Sequence, residues 1–287
     1  MSYVLIDIAQ DSPAWHEFRK GKIGSSHAAS LMGVGFSSPL QVFEEILFET
    51  KKPTTAAMRR GKELEPIARA WVNAKLGFSF EPAVVQSNDY PNLIASLDGF
   101  CLDKMKPSIL EIKCPGEQDH LTALSGEVPE RYFPQLQHQM MILGVDNMLY
   151  LSFDGKDGIL VEVQRDPAFC KKLLKEELAF LDRLANFDPP EPTDRDWTVI
   201  REPKALEKAA RIYQIKRLMR ELEEEELVLQ KGLEAFLDAK RCQVGNLKAV
   251  YKTRLGNVDY KKIEVLKEMD LTPYRKPNIS YWEFREA

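Results

Sequence analysis

The sequence predicts an α/β fold, a mixed central sheet flanked by helices, followed by a C-terminal extension of helix and β-structure. Three observations predict it. Residues 94 to 114 contain two apolar runs around a polar turn with Pro107, the pattern of a β-hairpin. Helical periodicity precedes the hairpin, and helix, two strands and a further helix follow it. Asp188-Pro189-Pro190-Glu191-Pro192 then breaks the chain, and the composition changes beyond it. With 287 residues, 44% hydrophobic and 9% aromatic, the chain can build one large core plus an extension, here divided as 1–195 and 196–287.

Taken in order, Ser25-Ser26 before His27-Ala28-Ala29-Ser30-Leu31-Met32 reads as a helix start. Free amides there can cradle a phosphate, although a serine at such a place commonly serves only as an N-cap. Residues 62 to 76 place Leu64, Ile67, Ala68, Trp71, Val72 and Leu76 on one stripe ended by Gly77. Pro66 fits only a first turn, which puts Glu65 at the helix start, where a carboxylate also complements the helix dipole. Residues 79–87 read as a strand, 130–143 as a helix, 147–153 and 158–164 as strands, and 167–187 as a closing helix.

The extension divides again. From 203 to 240 it is rich in Ala, Leu, Glu, Lys and Arg, with Ile215, Leu218, Leu222, Leu229, Leu233 and Phe236 near one stripe, as in one long helix or a helical hairpin. Glu223 to Glu226 form a solvated acidic face. Residues 241–287 carry ten Lys or Arg against six Asp or Glu, with aromatics beside basics in Tyr251-Lys252-Thr253-Arg254, Tyr260-Lys261-Lys262 and Tyr274-Arg275-Lys276. That interleaving suits a nucleic-acid surface, and equally a small β-rich module with snorkelling lysines.

The chemistry concentrates in the hairpin. Side chains alternate along a strand, so Glu111 and Lys113 share one wall while Leu110, Ile112 and Cys114 face a core. Asp98, at the start of the partner strand before Gly99, folds back towards Glu111. Two hard oxygen ligands then converge, the kind of set Mg²⁺ takes alongside water and substrate phosphate. Lys113 beside them can steady an attacking hydroxide or developing negative charge. Alternating acidic and basic residues also occur as plain ion pairs on solvated strands.

Four segments in order carry a family resemblance: Trp15-His16-Glu17-Phe18-Arg19 leading to Ile23-Gly24-Ser25-Ser26; Gly61-Lys62-Glu63-Leu64-Glu65; Ala95-Ser96-Leu97-Asp98-Gly99 with Leu110-Glu111-Ile112-Lys113-Cys114-Pro115; and Gln135-Leu136-Gln137-His138-Gln139-Met140. Together they resemble the lambda-type phage exonucleases, the YqaJ-like viral recombinases within the PD-(D/E)XK nucleases. The resemblance implies a restriction-endonuclease-like core with Asp98, Glu111, the Ile112 carbonyl and Glu65 as metal ligands. It makes Lys113 the catalytic amine and brings Gln135 or Gln137 from the following helix; being two apart, those two cannot share a helix face. Arg19, Ser25, Ser26 and Ser96 match the region that holds a 5′-phosphate. Where the family has Ser-Pro-Asp-Gly this chain has Ser96-Leu97-Asp98-Gly99, losing a stiffening proline and keeping the polar groups.

The implied function is a Mg²⁺-dependent exonuclease, with Mn²⁺ as a substitute. It degrades the 5′-ended strand of duplex DNA ends and leaves a 3′ single strand for an annealing protein. A homotrimeric ring is implied with it, since a net charge of −4 gives little general attraction to DNA. An endonuclease on the same core and a non-catalytic DNA-binding or assembly protein are the alternatives. Cys101, Cys114, Cys170 and Cys242 form no C-x-x-C pair, which excludes zinc and iron–sulfur clusters as expectations. His16, His27, His120 and His138 lack metal-ligand spacing and read as surface or structural. No run of about 18 apolar residues and no basic-then-apolar N-terminus is present, so a cytoplasmic protein is expected, in a bacterial host if phage-encoded.

Overall fold

The computed structural model describes residues 2–48, 54–103 and 106–253, with the single positions 256, 263 and 269. The chain forms two units, Met1–Thr198 and Val199–Ala287, a boundary three residues past the expected one. In the first unit the elements run β1 (Tyr3–Ile6), α1 (Pro13–Phe18), β2 (Ile23–Gly24), α2 (Ala28–Leu31), α3 (Pro39–Phe48), α4 (Ala56–Leu76), β3 (Glu81–Ser87), β4 (Leu93–Asp103) and β5 (Lys106–Lys113). They continue with α5 (Glu117–Leu124), α6 (Phe133–Leu143), β6 (Asn147–Phe153), β7 (Gly158–Gln164) and α7 (Pro167–Asn186).

One sheet runs β1-β3-β4-β5-β6-β7, with β2 alongside β4. Along that path only β5–β6 is parallel. A parallel pair needs a crossover, and α5 and α6 supply it. Period-two alternation divides β5 between two cores. Leu110 and Ile112 pack with Ala68 and Val72 of α4 on one face of the sheet. Ile109 packs with Leu136 and Met140 of α6 and Phe180 of α7 on the other.

The hairpin forms as expected, with two adjustments. Its strands reach Asp103 and Lys106, so Pro107 lies within β5 opposite Leu102 rather than in the turn. Pairing to β6 begins only at Leu110, so β5 is an edge at residue 107, where proline's missing N–H costs no ladder bond. Asp98 is the sixth residue of β4 instead of its first, because β4 starts at Leu93.

Helix α4 also starts earlier than the periodicity suggested. The Thr55 hydroxyl accepts from the Met58 amide at 3.2 Å and caps it, and Gly77 ends it at φ 70°. Pro66 is therefore interior and Glu65 lies in mid-helix, away from the dipole end. Pro66 and Lys62 are both exposed, so the carbonyl that proline leaves unpaired can turn to water. Ile67, on the same outer surface, is 53% exposed and leaves the expected stripe. Arg60 fixes the entry turn, donating to the carbonyls of Cys114, Pro115 and Asp154.

Nine of the eleven residues of α6 are buried, so its polar side chains must find partners inside. His138, fully buried, bonds Glu177 of α7 through Nδ1 at 2.5 Å and the Ile94 carbonyl of β4 through Nε2 at 3.0 Å. A carbonyl only accepts, so Nε2 carries a proton and the imidazole shares the second with Glu177. Burial pushes the His138 pKa down, but the Glu177 carboxylate outweighs it and the net shift is upward.

The second unit holds α8 (Pro203–Glu234) and a hairpin of β8 (Arg241–Val244) and β9 (Leu247–Val250) turned at Gly245, φ 57°. The 203–240 segment is thus a single helix that stops at 234, six residues short. Beyond Gly232 the chain tightens, with Phe236 donating to Leu233 and Leu237 to Glu234. The basic–aromatic alternation at 260–262 and 274–276, and at Arg254, lies outside the described residues. No helix among the described residues is long and apolar enough to cross a membrane.

Removing Glu177 strands a buried imidazole. Glu177→Ala is expected to cost about 3–5 kcal/mol in denaturant unfolding. Because the folded His138 pKa is raised, the contribution of the pair is full below pH 6.5 and declines as pH rises through the folded value. The wild-type advantage over Glu177→Ala should therefore shrink towards alkaline pH.

Candidate active site

The site forms where β4 and β5 part. Their ladder ends at Gly99↔Leu110; beyond it β5 pairs with β6, while β4 keeps β3 on its other edge. One step past that last pair, Asp98 and Glu111 face one another. The Ile112 amide, left without a β4 carbonyl, donates to Asp98 Oδ2 at 2.8 Å. A strand residue turns its N–H and C=O to the same side, so the Ile112 carbonyl opens on the same gap. Gly99 is required here, since a Cβ would stand 3.0 Å from the Cβ atoms of both Leu110 and Phe80.

Glu111 is 1% exposed and is held by three donors: Lys113 Nζ at 2.5 Å, Gln135 Nε2 at 2.6 Å and Gln139 Nε2 at 2.7 Å. Burial and the nearby Glu111 push the Asp98 pKa well above the usual aspartate range. Glu65 is also raised, by burial first and then by Glu111, against the lowering pull of Arg69. Burial pulls the Lys113 ammonium down, but Glu111 and Asp98 more than reverse it, so Lys113 is charged across the physiological range. The three carboxylates thus feel one another around a single ammonium. Among the described residues no three His, Cys, Asp or Glu side chains close into a metal cage, and Glu65 turns to Arg69.

Gln137 is a correction. Its amide donates to the Gln164 carbonyl at 2.9 Å and accepts from the Asp166 amide at 2.8 Å, tying α6 to the β7–α7 junction on the side away from Glu111. Two residues along a helix face about opposite directions, so Gln135 and Gln137 could not both reach. The second glutamine at Glu111 is Gln139, four residues after Gln135, which also reaches the Ser96 carbonyl at 3.4 Å. Its i,i+4 spacing was the available signal. Arg69 was missed as well: one turn after Glu65 it pairs with that carboxylate and donates to the Asp98 carbonyl at 2.5 Å.

A second cluster adjoins the first through Ser96. Ser12 and Pro13 start α1, which presents Trp15 and Arg19. The Trp15 indole donates to Ser96 Oγ at 3.0 Å, and the Arg19 guanidinium lies 4.4 Å from the Trp15 ring centroid. Gly24 lets Arg19 approach, as a Cβ there would be 3.1 Å from its Nη2. Burial lowers the Arg19 pKa, partly offset by Glu45 and Asp11, and its guanidinium makes no hydrogen bond among the described residues. Ser25 and Ser26 open a one-turn 3₁₀ helix capped when the Gly24 amide donates to His27 Nδ1. Ser26 is exposed, whereas Ser25 is 3% exposed and turned inward, which removes it from the expected phosphate group.

Residues 14–146 match the model of the YqaJ-like viral recombinase domain. No curated protein matches. Among solved structures, the alkaline exonuclease LHK-Exo from Laribacter hongkongensis is 28% identical with a TM-score of 0.54, over 62% of this chain and 94% of its own. The same enzyme in complex with dAMP gives 28% and 0.55 over the same shares. A phage related exonuclease from Haemophilus somnus 129PT is 15% identical over 58% of this chain and 94% of its own, with a TM-score of 0.43. The mixed sheet with helices on both faces is the PD-(D/E)XK-like fold of the exonucleases it matches. Over residues 14–146 this chain is therefore similar to the YqaJ-like viral recombinase domain.

Proposed function

We propose that this protein is a Mg²⁺-dependent DNA exonuclease that degrades the 5′-ended strand of linear duplex and leaves a 3′ single strand. The observation that carries this reading is the convergence of Asp98 and Glu111 on a strand gap beside Lys113. Asp98, Glu111 and the Ile112 carbonyl are the oxygens that would hold the metal, with Glu65 behind them. They fit a hard cation, because burial and then mutual repulsion raise Asp98 and Glu65, and a divalent charge relieves both. When bound, the metal supplies Lewis acidity and an acidified water. Lys113 stabilises negative charge developing on the phosphoryl group, and Gln135 and Gln139 keep Glu111 oriented.

Direction rests on Arg19. A half-buried guanidinium stacked on Trp15 and joined to the site through Ser96 suits a terminal 5′-phosphate, with Ser26 on the rim. The reading includes a homo-oligomer, a trimeric ring in its simplest form, that encloses duplex despite the charge of −4 and hands its product to an annealing protein.

Asp98→Asn is the first test. A carboxylate whose folded pKa is raised favours folding only while protonated, and that contribution is lost as pH rises through the folded value. At neutral pH without metal, Asp98→Asn should therefore raise stability, by on the order of 1 kcal/mol, while abolishing cleavage of linear duplex. Mg²⁺ should raise the wild-type melting temperature and leave the variant's unchanged. An equal Mg²⁺ shift in both proteins, or activity in the variant, rejects the site. Wild-type cleavage should fall as pH drops through the raised Asp98 pKa.

Duplex with a 5′-phosphate should be digested faster than duplex with a 5′-hydroxyl, by an interaction of about 1.5–3 kcal/mol, and Arg19→Ala should erase the difference. Closed circular DNA should resist throughout; its cleavage would indicate an endonuclease. The glutamines should separate cleanly. Gln139→Ala lowers the cleavage rate and strips the buried Glu111 Oε2 of its donor, whereas Gln137→Ala unpairs the β7–α7 junction and leaves the cleavage rate of the folded protein unchanged; each costs about 1–3 kcal/mol of stability.

A further inference from the structure

Helix α8 carries its charge the wrong way round for a helix standing alone. Residues 203–220 hold six Lys or Arg and one Asp or Glu, and residues 221–234 hold six acidic and one basic. The helix dipole favours the opposite arrangement, anions at the N-terminus and cations at the C-terminus. Ile212, Ile215, Met219, Leu222, Leu229 and Leu233 also recur at a/d spacing, interrupted only by Glu226, and no residue of the helix is buried. A period of 3.5 is the spacing of a coiled-coil seam.

We propose that α8 pairs antiparallel with α8 of a second copy of this chain. Antiparallel pairing lays the basic half of each helix on the acidic half of the other, and a two-fold axis between Arg220 and Glu221 superposes the two charge boundaries. The same axis matches every a position to a d position: Met219 meets Leu222 of the second copy, Ile212 meets Leu229, and Lys208 meets Leu233. Charge boundary and apolar seam thus select one register from independent features of the sequence. Parallel pairing would set Arg211 beside Lys216, whereas the antiparallel register sets Arg211 towards Glu225. A hollow of about 390 Å³, lined by Leu222, Glu225, Glu226, Leu229, Leu233 and Leu247 among others, offers the seat for the basic half of the partner helix. Glu226, held by Gln230 at 2.8 Å, is the one polar member of the seam between Ile212 and Leu233, a device that fixes register at some cost in stability.

Such a contact is isologous and doubles whatever assembly the first unit makes. Light scattering on the full chain should give an even number of protomers, and Met219→Lys/Leu222→Lys should halve the mass. In a Cys242→Ser background, mixing Lys208→Cys protein with Leu233→Cys protein should yield a disulfide-linked heterodimer on mild oxidation, with Lys208→Cys alone giving none. An odd or monomeric wild-type mass, a mass unchanged by the lysine substitutions, or a disulfide between two Lys208→Cys chains overturns the proposal. Each readout is independent of nuclease activity.

Discussion

The parting of β4 from β5 after Gly99–Leu110 is the constraint on which the site depends. A strand that leaves its neighbour strands backbone groups, and a buried one without a partner costs about 1–3 kcal/mol. Asp98 resolves this by inserting its carboxylate and taking the Ile112 amide, so one bond both closes the backbone ledger and fixes a buried acid beside Glu111. The sheet continues on either side of the gap: β3 pairs with β4 at Leu97 and Phe100, flanking a register shift opposite Asp98 and Gly99, and β6 pairs with β5 from Leu110 to Lys113. The opening is therefore framed by rigid strands rather than built on loops.

Burying Glu111 required a second solution. A carboxylate out of water needs donors, and it finds one on its own strand and two on α6. This is why α6 is both the most buried helix of the first unit and polar along its middle. Its four consecutive residues Leu136 to Gln139 serve different surroundings: core, the β7–α7 junction, α7 with β4, and the site. Helical geometry assigns them, because residues four apart stack while those two apart diverge.

Much of this was legible in sequence. Alternation placed Glu111 and Lys113 on one wall, and the hairpin brought Asp98 to them; both follow from the two-residue period of a strand. What was hidden depends on tertiary context. Pro66 reads as a helix start, and only the exposure of Lys62 and Pro66 explains an interior proline. Gln137 and Gln139 are chemically identical, and which faces the site follows from how α6 is rotated on the sheet. The inward turn of Ser25 and the ion pair of Arg69 with Glu65 likewise arise from packing that no local pattern encodes.

Electrostatics distinguishes Arg19 from the other cations near the site. Lys113 is matched to Glu111, Arg69 to Glu65 and Arg131 to Asp119, each through a direct contact between charged groups. Arg19 instead meets the faces of Trp15 and the open backbone at Gly24, contacts that hold a guanidinium in place without neutralising it. Glu45 and Asp11 act on it only through space, and burial dominates its energetics. Under the proposed function, a protein of net charge −4 would gain little attraction to DNA from its overall field, and such local, uncompensated positions would supply it. A planar cation with a rigid fork of donors is well matched to a phosphate with several free oxygens. A terminal phosphate carries more charge than an internal diester, so under the proposed function Arg19 would discriminate ends and would tie the chemistry at Asp98 and Glu111 to the position of a strand terminus.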